Sequence, residues 1–389
     1  MGSYISSNDN RFYAALEPAY AQVGAMTAAS RFPGVKLATK QAAEKVQRKD
    51  KTGSRTFAGL PQGIRRRTSY EVRTYMTAWT TPGQQPGYGP LFQAALGGSP
   101  LSFGGRQADG TSTPSTIHFT GAHGLAPGQA LTYGDEIRFV AGVIDANAIQ
   151  LAAPFTASPA GGQLGATITY RLAKELPSVS LFDYWDPSDA VHRIVTGAAV
   201  DRLRVKVNGD FQEFQFSGPA GDVIDSASFS TGEGALQEFP AEPQIDSAAY
   251  SVIPGHMGQA WVGSTPEQFF TVTEGEVLLE NDVLLRDREF GASLARGISP
   301  GVRKVSINFS LYELNDAASK SLYQAARQRS PISVTLQLGQ QAGQLFGIYL
   351  KSVVPEVPDF DDSDRRLQWS FVNCRAQGAL DDELFVAFG

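Results

Sequence analysis

Two copies of one short pattern, Leu91-Phe92-Gln93-Ala94-Ala95 and Leu322-Tyr323-Gln324-Ala325-Ala326, lie far apart in this chain of 389 residues. Each holds the same place within a longer run of strand-like segments, which constrains the chain to an internally duplicated architecture. A duplicated β-domain supplies two quasi-equivalent building blocks per chain, the arrangement from which a ring or a tube is readily built.

The second copy is the cleaner one. In 302–314, Val305, Ile307, Phe309 and Leu311 alternate with Lys304, Ser306, Asn308 and Ser310, the two-residue period of a half-buried strand. Asn315 or Asp316 offers an N-cap, and Ala318, Leu322, Tyr323, Ala325 and Ala326 then recur at helical spacing up to Arg327 and Arg329, before Ser330-Pro331. Three more strands are predicted over 332–338, 345–354 and 365–375, separated by a turn at Gly339 and Gly343 and by an acidic loop over 355–364. The first copy repeats this order with a strand over 68–79, the helix, an interruption, and strands over 178–183, 194–207 and 210–216. Gly63 aligns with Gly301, and Arg48 to Gly53 with Arg286 to Gly291.

The predicted fold class is mainly β: two tandem antiparallel β-sandwich or barrel domains, each with one short flanking helix, and a small all-β domain inserted in the first. Residues 1–32 are expected to form an N-terminal arm with short helices at 12–16 and 21–26. Residues 33–111 and 171–218 form the first domain, 112–170 the insertion, 219–265 an ordered connector and 266–389 the second domain. Short strands and turn residues between Gly124 and Asn147 mark the insertion, which is expected to project from the main body.

Composition agrees and excludes several functions. Gly (40) and Pro (22) are frequent, as in a strand-rich protein with many turns. A formal charge of −6 gives no general attraction to nucleic-acid phosphates. The single cysteine, Cys374, sits in an apolar alternating strand and reads as a core thiol. The N-terminus lacks the pattern of a signal peptide and no run of eighteen apolar residues occurs, so synthesis and solubility in a cytoplasm are expected.

Candidate chemistry is sparse. Gly297-Ile298-Ser299-Pro300-Gly301 matches a nucleophile pattern, but here a loop leads into a strand, where a nucleophile elbow needs a strand leading into a helix. His118, His123, His192 and His256 lack metal-ligand spacing. The acidic run with Asp359, Asp361, Asp362 and Asp364 lacks the glycine and distal glutamate of a calcium loop and reads as a solvated turn. No catalytic, metal or cofactor site is expected. The basic residues Arg48, Lys51, Arg55, Arg65, Arg66 and Arg67, with Arg286 and Arg288 at the equivalent place in the second copy, read as inter-subunit or inter-ring contacts. The acidic run is an available partner for them. A carbohydrate-binding adhesin with duplicated sandwiches is the alternative from another class, using Trp79, Trp185 or Trp261 as sugar platforms.

The segment RKDKTGSRTFAGLPQGIRRRTSYEVRTYMTAW with GPLFQAALGG, and SINFSLYELNDAASKSLYQAARQRSPISVTLQLG in the second half, resemble the tail tube proteins of bacteriophages with long non-contractile tails, in their duplicated-domain form. The resemblance spans residues 33–380 without the insertion and rests on structural motifs. It implies tube domains of packed antiparallel sheets, joined by sheet continuation into rings stacked around a DNA conduit. Single-domain members form hexameric rings, so two domains per chain imply trimeric rings with pseudo-sixfold symmetry. It further implies a virion tail protein assembled in the host bacterial cytoplasm. Its neighbours would be terminator, baseplate and tape measure proteins, with double-stranded DNA passing through without specific binding and no membrane partner. A baseplate or tail-tip ring built from related domains is a second reading of the same likeness. Net negative charge also suits a channel through which DNA slides.

Overall fold

A computed structural model describes residues 4–43, 50–51, 53–56, 59, 65–78, 83–244, 251–363 and 365–389. The chain opens with β1 (Asn10–Leu16), β2 (Arg31–Phe32), β3 (Gly34–Ala43), β4 (Arg66–Tyr75) and helix α1 (Gly89–Leu96). An inserted stretch holds β5 (Leu101–Phe103), β6 (Arg106–Gln107), β7 (Thr116–His118), β8 (Ala130–Tyr133), β9 (Glu136–Asp145), β10 (Ala148–Leu151), β11 (Gln163–Leu164) and β12 (Thr167–Arg171). The first run closes with β13 (Val179–Trp185), β14 (Arg193–Ala198), β15 (Arg202–Val207), β16 (Glu213–Ala220) and β17 (Asp222–Asp225). The second comprises β18 (Gly258–Gly263), β19 (Glu267–Gln268), β20 (Val272–Glu280), β21 (Leu284–Leu285), β22 (Ile298–Ser299), β23 (Lys304–Tyr312), α2 (Ala317–Gln328), β24 (Ile332–Leu338), β25 (Phe346–Val354), β26 (Asp359–Asp361), β27 (Gln368–Ala376) and β28 (Phe385–Phe388). The fold is mainly β, with antiparallel strand pairing throughout.

The two runs share one pairing scheme. One sheet reads β3-β4-β16-β15 in the first run and β20-β23-β27-β26 in the second; the other reads β17-β14-β13-β1-β2 and β28-β25-β24-β18-β19. Irregularities recur at matching places, between Gly34 and Lys36 as between Val272 and Glu274, and between Val179 and Leu181 as between Ile332 and Val334. A bulge shifts the side-chain phase by one residue, so its shared position fixes which residues correspond. The inward residues Thr68, Tyr70, Val72 and Thr74 of β4 stand where Val305, Ile307, Phe309 and Leu311 stand in β23. This corrects the alignment of Gly63 with Gly301, which is one residue out of phase; Gly63 itself lies outside the described residues.

The expected arm and connector are also corrected. Residues 10–16 form β1, an inner strand between β13 and β2, rather than a helix. Phe12 and Ala14 enter the main core while Tyr13 and Ala15 enter a second cluster, so both faces are covered and no polar alternation betrays the strand. Its counterpart β18 lies in the stretch read as connector. The strand predicted over 194–207 breaks at Ala199-Val200-Asp201 into β14 and β15, carrying the chain from one sheet to the other.

The insertion has its own core, with Ile117, Phe119, Leu131, Val140 and Ile149, and its strands run from β5 to β12. It does not project freely. β12 pairs with β28, and Ile137 and Phe139 pack on Leu345, Tyr349 and Phe385 of the second repeat. Phe139 stacks on Tyr349 at 5.5 Å. The fastening residue is Arg138, fully buried, which donates to Glu136 at 2.7 Å, Gln337 at 3.0 Å and Gln259 at 2.9 Å, with its guanidinium over the Trp261 ring. These apolar and polar anchors explain why the module lies against the body.

Candidate assembly interface

The junction between the repeats is a strand pair. In β15, Leu203 and Val205 point into the core while Arg202, Arg204 and Lys206 are exposed, the alternation of a strand with one wet face. β20 lies antiparallel to it, with Arg202 opposite Glu280, Val205 opposite Val277 and Lys206 opposite Glu276. Arg202 pairs with Glu280 at 3.0 Å and Arg204 with Glu276 at 2.9 Å. Behind the strands, Asn281 Nδ2 donates to the carbonyls of Ala95 at 2.8 Å and Val200 at 3.0 Å. Phe92 of α1 meets Phe346 and Phe388 of the second repeat at 5.4 and 5.2 Å.

This junction fuses the two first sheets into one ribbon, β3-β4-β16-β15-β20-β23-β27-β26. One face is the core. The other is polar and internally paired: Arg73 with Glu213 at 2.8 Å, Gln215 with Glu71 at 3.0 Å, and Ser310 with Glu274 at 3.1 Å. At the ends of the ribbon, among the described residues, β3 pairs only with β4 and β26 only with β27. Lys36, Lys40, Gln41 and Ala42 are exposed on β3, and all three residues of β26 are exposed, Phe360 at 55%. Open edges of this kind are templates for another strand.

The residues expected to make contacts fall into place unevenly. Arg66 pairs with Asp222 at 3.1 Å and Arg67 with Asp287 at 2.7 Å, so these two are engaged within the chain and not with the acidic run. Arg286 pairs with Glu289, while Arg288, Lys51 and Arg55 are exposed and Arg65 is half-buried. Lys51 and Arg55 lie between β3 and β4, Arg286 and Arg288 between β20 and β23, the equivalent loop. Arg48 and Asp364 lie outside the described residues. Asp359 and Asp361 belong to edge strand β26, with Asp362 following, rather than to a solvated turn. The sequence did not single out Lys36 and Lys40, exposed on edge strand β3, or Arg202 and Arg204 at the internal junction; the R-L-R-V-K-V alternation of β15 is the signal that marks such a strand.

Groups suited to chemistry are satisfied structurally. Buried His192 accepts from the Trp185 N–H at 3.1 Å, and its other ring nitrogen lies 3.1 Å from the Ser188 carbonyl. Ser299 is exposed on β22, which leads towards strand β23. No cluster of metal-ligating side chains occurs among the described residues. Trp261 is buried beneath Arg138, which removes it as a sugar platform; Trp185 is half-buried, and Trp79 lies outside the described residues. No helix among the described residues is long and apolar enough to cross a membrane.

Neither a protein-family model nor a curated protein matches the chain.

Proposed function

We propose that this chain is a structural protein that joins head to tail through its sheet edges into closed rings, and that the rings stack as the tail tube of a long-tailed phage. The observation that carries this reading is the β15 and β20 junction: one repeat already adds to the next by sheet continuation, and no described strand covers the equivalent edges at the two ends of the ribbon. A heterologous contact that repeats an internal junction closes when the rotation it imposes divides a full turn. Three chains give six quasi-equivalent repeats, and the ribbon then closes into a barrel without edges.

In such a barrel the core face looks outward to the second sheets and helices, and the polar face lines the channel. That face carries carboxylates beside its arginines, so it offers phosphates no continuous basic track. DNA could pass without being held. The protein has no catalytic part in this reading, and its partners are copies of itself and the neighbouring tail proteins.

Electron microscopy of the purified full chain tests the proposal. Long tubes with a regular ring repeat are expected. Closed rings that do not stack would place the protein at a tail tip, and a stable monomer at all concentrations would overturn the assembly reading.

A further inference from the structure

The junction inside the chain and the two open edges carry opposite charge signs at corresponding positions. In the first repeat, β15 meets β16 with Arg204 opposite Gln215 and Val205 opposite Phe214. In the second, β26 meets β27 with Asp359 opposite Ser370 and Phe360 opposite Trp369. Since β16 and β27 hold the same place against β4 and β23, Asp359 stands where Arg204 stands and Phe360 where Val205 stands. Asp361 likewise replaces Lys206. On the other partner, the shared bulge sets Lys36 where Glu274 stands, and therefore Thr39 where Val277 stands and Lys40 where Leu278 stands.

We propose that β3 of one chain pairs antiparallel with β26 of a second copy in the register of β15 with β20, and that the reversed charges keep the two kinds of junction from being confused. This deepens the assembly reading above and rests on it. Because Val205 opposes Val277 and Arg204 opposes Leu278, the transferred register puts Phe360 opposite Thr39 and Asp359 opposite Lys40. Asp361 then lies on the same face, flanked by Lys36 and Lys40. Only backbone pairing and the bulge enter this register, so the meeting of opposite charges is an independent agreement.

Burial points the same way. Val205 is 2% exposed at the internal junction, whereas its counterpart Phe360 is 55% exposed. Phe92 is fully buried against the second repeat, and its counterpart Tyr323 is only half-buried. Both exposed aromatic surfaces border the open edge, since Tyr323 and Phe360 are in ring contact at 5.9 Å. A second copy would cover them as the second repeat covers the first.

The sign reversal acts against wrong pairing. β20 of a foreign chain on β26 would set Glu276 directly opposite Asp361, with Asp359 flanked by Glu276 and Glu280, and β3 on β15 would set Lys40 directly opposite Arg204, with Lys206 flanked by Lys36 and Lys40. Like charges directly opposed on neighbouring strands are destabilising, and excluding wrong partners is how paired surfaces gain specificity. Basic strands therefore meet acidic ones at both junctions, with the donor and acceptor roles exchanged.

Full-length charge-reversal variants test this by sedimentation velocity and electron microscopy. K36E/K40E and D359K/D361K chains are each expected to stay monomeric, with far-UV circular dichroism and thermal unfolding like those of monomeric wild type. The chain carrying all four reversals restores complementarity and is expected to assemble, and to sort away from tagged wild type when the two are mixed. Double variants that assemble like wild type, or a quadruple variant that folds but stays monomeric, would overturn the junction while the assembly reading stands. Failure of wild type itself to assemble would instead remove the reading beneath it.

Discussion

Phe92 on α1 and Phe346 on β25 meet with ring centroids 5.4 Å apart, although they belong to different repeats. Phe92 also packs edge-on against Phe214 at 5.0 Å and Phe388 at 5.2 Å, so one side chain ties the helix, the first sheet and the second repeat together. Its counterpart Tyr323 touches Trp369, the counterpart of Phe214, and otherwise faces the open edge. Phe92→Ala should therefore cost about 3–5 kcal/mol, the usual range for a fully buried phenylalanine, and Tyr323→Ala distinctly less. Urea unfolding of the two monomeric variants measures the difference; equal losses would contradict the asymmetry.

Removal of Arg138 should loosen the insertion. Burial lowers its guanidinium to about 10, so the side chain remains charged at neutral pH, held by Glu136. Arg138→Ala leaves that carboxylate buried without its cation, a change worth about 3–5 kcal/mol. The joint Glu136→Gln and Arg138→Met variant, which leaves no uncompensated charge, should lose less. Limited proteolysis of residues 101–171, followed by mass spectrometry, should show cleavage in Arg138→Ala first.

Helix α2 supplies a pH dependence. The Asp316 carboxylate accepts the Ser319 N–H at 2.7 Å, and this bond holds the group below the usual carboxylate range. An acid depressed in the folded state contributes stability above its unfolded value, and that contribution is lost as pH falls through the folded value. Asp316→Ala should thus cost about 1 kcal/mol at pH 7, and the gap to wild type should close progressively below about pH 4. Paired denaturation curves across that window give the answer; a gap that widens in acid would be the wrong sign.

Cys374 should be silent towards thiol reagents in the folded protein. It is fully buried on β27, and loss of solvent pushes its thiol up to about 11. The reactive thiolate is therefore scarce at pH 8, and access is closed as well. Labelling by a chromogenic disulfide is expected only in denaturant, and rapid stoichiometric labelling of native protein would refute the buried placement.

Residues 304–312 were legible because alternation is strict where one face is dry and the other wet. The helix 317–328 was legible from its cap and apolar stripe. β1 was not, since a strand covered on both faces by different clusters shows a continuous apolar run, which a helix also shows. Nor was the bend between β14 and β15, because both halves satisfy the strand pattern and only their separate partners reveal the break. Of the residues read as contact candidates, Asp359 and Asp361 stood out as charge density, whereas Arg66 and Arg67 proved to be engaged by Asp222 and Asp287, which are remote in sequence.

The sequence by itself determined the mainly β character, because period and turn chemistry are local properties of the chain. Tertiary structure alone decided that β26 is the counterpart of β15, that β3 is the counterpart of β20, and that the insertion is clamped to the second repeat. Those relations depend on which strands become neighbours and on where bulges shift the register. Hydrogen-bonded neighbours far apart in the chain leave no periodic trace in either segment.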